Sequence, residues 1–118
     1  MNVEIEIWWK QAEADLHAAK KNLQVKEYYV SVFLSEQSVE KALKYKILKE
    51  KKKLIKVHDL VFLGRMLSIP EELNEKCIDL NKAYIESRYP NASGRIPSEK
   101  FTEEHAKKFL KLAEDILK

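Results

Sequence analysis

Little in this chain turns or crosslinks a backbone. Its 118 residues include two glycines, three prolines and one cysteine. Scarce glycine and proline argue against a turn-rich β fold and in favour of long helices. The lone Cys77 excludes a disulfide framework and a multi-cysteine metal site, and its reading is a buried thiol. No apolar run approaches the roughly 20 residues that a membrane span needs. The opening MNVEIEIWWK is acidic and alternates in polarity, unlike a basic secretory leader, so a cytoplasmic location is expected. Walker, GxGxxG, HExxH and CxxC motifs are all missing, and His17 and His105 fall on separate helices with no ligand spacing between them. No metal, cofactor or membrane partner is therefore expected.

Charge is plentiful, at 35% of residues, and lysine supplies most of the positive part. The stretch KALKYKILKEKKKLIK, residues 41 to 56, carries eight lysines and one glutamate. It suits either a phosphate-bearing partner or a solvated helix end whose cations complement the helix dipole.

Apolar residues recur at three- and four-residue steps over five segments of one domain. The first spans about residues 3 to 24, through Ile5, Trp8, Trp9, Ala12, Leu16, Ala19 and Leu23. The second, about 26 to 50, is apolar over so much of its circumference that it is expected at the centre. Asp59 can cap a short third helix that ends near Leu67, with Gly64 inside it. Pro70 suits the first turn of a fourth, lined by Leu73, Cys77, Leu80 and Tyr84 and stopped after Arg88 by Pro90. Thr102 is a good N-cap for the fifth, with Glu103 and Glu104 in its first turn. Short connections imply antiparallel neighbours, so the expected fold is an all-α, up-and-down bundle of four or five helices.

Polar residues interrupt this pattern. Gln37, Glu40, Lys41 and Lys44 form one line on the second helix, readable as its solvent edge or as a site. Tyr84 and Arg88 share a face of the fourth helix, where arginine can grip a phosphate or merely satisfy the last carbonyls. His58 precedes the third helix. Trp8 and Trp9 are candidate interface anchors or core residues.

The ordered set EADLHAAKKNL, YYVSVFLSEQSVEKALKYKIL, KVHDLVFL, YIESRYPNA and FTEEHAKKFLKLAEDIL resembles a HEPN domain (higher eukaryotes and prokaryotes nucleotide-binding) over nearly the whole chain. The resemblance implies a helical bundle that pairs with itself and accompanies a minimal nucleotidyltransferase, in a setting like toxin–antitoxin pairs. Many members are metal-independent ribonucleases carrying an arginine followed, after four to six residues, by a histidine. Here Arg88 is followed at those positions by Ser93, Gly94 and Arg95. The acidic residue usual after RYP is Asn91.

The resemblance therefore implies nucleotide or nucleic-acid phosphate binding without catalysis. Its ligand-binding set is Gln37, Glu40, Lys41, Lys44, His58, Tyr84, Arg88 and Tyr89, with no catalytic or metal residue. Two alternatives stand beside it. One is an RNA-cleaving toxin with an altered site that uses His58 or His105. The other is a pure dimerisation or interaction module.

Overall fold

The computed structural model describes residues 3–90 and 94–118. Asn91 and Ser93, which enter the reading of the loop after Pro90, lie outside the described residues. Six helices and no strands occur among those described. They are α1 (Val3–Gln24), α2 (Tyr28–Lys51), α3 (Leu60–Met66), α4 (Glu71–Arg88), α5 (Pro97–Lys100) and α6 (Glu103–Leu117). The periodicity anticipated all of these but α5, a single turn begun by Pro97.

Each boundary has a local cause. Lys26 takes a left-handed conformation, with φ 65°, so three residues suffice to turn α1 back into α2. The Asp59 carboxylate accepts from the Val61 N–H at 2.9 Å and caps α3. It also accepts from the Asn81 amide at 2.8 Å, while the Asn81 carbonyl takes the Leu60 N–H at 3.0 Å, which ties α3 to α4. Pro70 is the N-cap of α4, one residue outside its expected place in the first turn. Tyr89 is extended because Pro90 follows it, and α4 stops at Arg88. Thr102 caps α6, as its composition suggested, with His105 as reciprocal partner.

Helix α2 is the axis of the bundle and packs against every other helix. Val32, Val39, Ala42, Leu43 and Ile47 on it are fully buried. Its seam with α1 is made of small residues, with Ala12 and Ala19 facing Ser31, Ser35 and Ser38. The hydroxyls of Ser31 and Ser38 donate to the carbonyls of Ala19 and Ala12, at 2.8 and 2.7 Å. Small side chains let the two helices approach closely, and the serines find acceptors in the backbone opposite. Gly64 serves the same purpose between α3 and α4. A Cβ there would stand 2.6 Å from the Asn74 Oδ1 and 2.7 Å from the Ile69 Cδ1.

No described helix is long and apolar enough to cross a membrane. Cys77 is fully buried among core side chains, and burial pushes its thiol up to about 11. Trp9 packs on the core and its ring lies 5.2 Å from that of Tyr45. Trp8 instead lines an open groove between the start of α1 and the end of α2.

Candidate functional site

The polar line of α2 does not face solvent. Glu40 and Lys44 are 6% and 5% exposed, and Glu36, one turn before Glu40, is fully buried. A helix packed on all sides has no outer edge, so its polar side chains must find partners inside. Three local networks result.

The first joins α1 to α2. The Lys41 ammonium donates to Asp15 at 2.7 Å and to the Gln37 carbonyl oxygen at 3.1 Å. Asp15 also accepts from the Gln11 amide at 2.9 Å, and the Gln37 amide donates to Glu36 at 2.9 Å. Lys41 is thus matched to a buried carboxylate, and both ends of Gln37 are used within the protein.

The second joins α2 to the loop before α3. Lys44 and the His58 Nδ1 each lie 3.0 Å from the same Glu40 oxygen. The Lys44 ammonium also lies 5.9 Å from the Trp8 ring centre. The His58 side chain is 75% exposed, so its other nitrogen is open to solvent.

The third caps the end of α4. Arg88 donates to the Tyr84 hydroxyl one turn below it. Its guanidinium carbon lies 5.7 Å from the ring centre of Phe33 and 5.2 Å from those of Tyr84 and Tyr89. Phe33 and Tyr84 stack at 5.6 Å. These contacts hold the guanidinium plane, yet its charge is not cancelled, since Arg88 pairs with no carboxylate among the described residues. A fixed, exposed guanidinium with unused N–H groups suits a phosphate or a carboxylate.

Two carboxyls link the networks. Burial pushes Glu36 up to about 8, and the charge of Glu40 one turn away adds to the rise. The Tyr84 hydroxyl is raised first by burial and then by the charge of Glu36. One oxygen of Glu36 and one of Glu40 are buried without a hydrogen-bond partner, as is the Ser35 hydroxyl.

The sequence-derived set therefore falls into two groups. Tyr84, Arg88, Tyr89 and His58 are presented outward, wholly or in part. Gln37, Glu40, Lys41 and Lys44 are instead paired within the protein. Glu36 was missed. Its signal was its place on the helix already read as central, where a glutamate beside Ser35 and Ser38 has little chance of reaching water. The lysine-rich stretch divides as well. Lys41 and Lys44 point inward, and Lys46 donates to the Ile116 carbonyl at 2.7 Å. Lys51, Lys52, Lys53 and Lys56 are exposed. No group of three or more His, Cys, Asp or Glu among the described residues could hold a metal ion.

The HEPN domain family model matches residues 5–118. No curated protein matches the chain. Among solved structures, it is similar to the crystal structure of TT1696 from Thermus thermophilus. That match has a TM-score of 0.87 and 31% identity, and covers 99% of this chain and 94% of the other. It is also similar to ST0689, described as an archaeal HEPN homologue. Here the TM-score is 0.81 and the identity 32%, covering 96% of this chain and 91% of the other.

Proposed function

The chain belongs to the HEPN family, and on that premise we propose that it binds the phosphate of a nucleotide or RNA at Arg88 without cleaving it. The observation that carries this reading is Arg88 itself. It is anchored by Tyr84, flanked by three aromatic rings and left without an acidic partner among the described residues. Phosphate would take the guanidinium fork, and the half-exposed Tyr89 offers a face for a base. The stacked rings of Phe33 on α2 and Tyr84 on α4 support this geometry.

Binding without cleavage is supported by the sequence after Arg88, which places no histidine at the family's spacing. The histidine in the same polar system, His58, is occupied by Glu40 through Nδ1. Self-association is proposed through the outer face of α4, where Ile78 and Ile85 are 52% and 51% exposed at a seven-residue step beside Tyr89. A nucleotidyltransferase as partner chain is proposed from family membership alone.

Calorimetric titration of ATP, GTP and a short RNA into wild type and Arg88→Ala tests the central reading. Binding by wild type that weakens at least about tenfold in Arg88→Ala is expected. No binding by wild type near millimolar ligand overturns it. Total RNA incubated with the protein and EDTA should stay intact. Sedimentation of wild type against Ile85→Lys checks the α4 face, with the variant expected to shift toward monomer.

A further inference from the structure

The other flank of α4 carries a second concentration of charge that the Arg88 reading does not use. Lys82 and Glu86 each lie two residues, or about 200° of helix, from Tyr84, and so point away from its network. There α4, α5, α6 and the chain after Gly94 line an open cleft of about 280 Å³. Five nitrogen-bearing side chains line it: Lys82, Arg95, Lys100, His105 and Lys108. Two carboxylates face them. Glu86 pairs with Lys100 at 3.1 Å, and Asp79 with Lys108 at 3.3 Å. Each acid is thus matched by one lysine. Lys82 and Arg95 pair with no carboxylate among the described residues, so two positive charges stand uncompensated over one concavity.

His105 adds a donor whose direction is set by the fold. Its Nδ1 accepts the Thr102 backbone N–H at 3.1 Å as part of the α6 cap. In the neutral ring the proton must then sit on Nε2, which is left to donate. The ring is held edge-on against Phe101, 5.7 Å between centres. Phe101 and Phe109 are nearly buried and form a rigid apolar floor under the charged rim. Concave shape, uncompensated cations from separate elements and a ring held in place by the α6 cap together describe a receptor for a tetrahedral oxyanion.

We propose that the cleft between α4, α5 and α6 is a second anion site, in which Lys82, Arg95 and His105 hold a phosphate group separate from any bound at Arg88. The same chemistry is offered by a free nucleotide and by the backbone of an RNA strand. The two sites flank the exposed strip of α4 that carries Ile78 and Ile85. An RNA crossing that strip could engage both, whereas a single phosphate could occupy only one.

Inorganic phosphate, ATP and a short single-stranded RNA are titrated into isotope-labelled protein, and backbone amide shifts are followed. Wild type and Arg88→Ala should both show shifts clustered at Lys82, Arg95 and His105. The double variant Lys82→Ala/Arg95→Ala should lose them, with affinity at least about tenfold weaker. Both replaced side chains are exposed, and an unchanged thermal midpoint confirms folding. Saturation by phosphate or ATP alone identifies a nucleotide site. Binding that needs the RNA strand, and falls steeply with salt, identifies the backbone. The proposal is overturned if none of the three ligands moves these resonances at millimolar concentration. It is equally overturned if every shift disappears with Arg88→Ala.

Discussion

Glu36 and Glu40 stand one turn apart on α2, both buried, and each leaves one carboxyl oxygen without a hydrogen-bond partner. Like charges so placed cannot both ionise cheaply. Glu40 has Lys44 and His58 on its other oxygen, whereas Glu36 has only the neutral Gln37 amide. Glu36 is therefore the member that keeps its proton at neutral pH.

This asymmetry sets a pH dependence of stability. The Glu36 carboxyl titrates near 4.5 when unfolded and near 8 when folded. Between those values the folded state holds a proton that the unfolded state has released, so raising pH destabilises the fold. The Glu36 contribution is complete below the unfolded value, falls by up to about 1.4 kcal/mol per pH unit, and is gone above the folded one. Urea unfolding at pH 5, 6, 7 and 8 should show Glu36→Gln gaining on wild type at every step upward. A stability difference that stays constant across the series contradicts a protonated Glu36.

Tyr84 fixes Arg88 through its hydroxyl, and its ring also lies under the guanidinium. Tyr84→Phe keeps the ring and deletes the anchor. Stability should change by no more than about 1 kcal/mol, since the lost bond is exposed. Nucleotide affinity should fall a few-fold, because the fork must now be ordered on binding. Calorimetry beside thermal melting separates the effects. Affinity equal to wild type would mean that the three rings alone position Arg88.

Gly64 looks replaceable by helix propensity alone, which favours alanine by about 1 kcal/mol. The packing reverses that preference. Asn74 is 3% exposed and Ile69 is packed against the core, so neither can yield freely to a new methyl group. Gly64→Ala should cost a net ~1–2 kcal/mol through overpacking, read from a lowered urea midpoint. An unchanged or higher midpoint would show that α3 can slide on α4.

Much of the architecture was legible because its causes are local. Apolar steps of three and four marked the long helices, Asp59 and Thr102 sat where caps belong, and Pro90 ended α4 through its own ring. The short α5 escaped because one turn leaves no periodicity to count. The candidate residues could be named from the sequence, but not their arrangement. Gln37, Glu40, Lys41 and Lys44 were visible as one line, and spacing could equally make that line a solvent edge. The burial of Glu36 was invisible for the same reason: a helix contacted from every side shows no polar face to contradict.

The sequence by itself determined where helices start and stop, which one lies at the centre, and that Arg88 and Tyr84 share a face, since each follows from neighbours within a turn or two. Only the tertiary structure decided which charges are spent. It set Lys41 on Asp15, put Lys44 and His58 on Glu40, left Arg88 without a carboxylate among the described residues, and set Arg95 and His105, ten residues apart, on one cleft. Charge pairing depends on distances of a few ångströms between elements far apart in sequence, and those distances exist only after the core has packed.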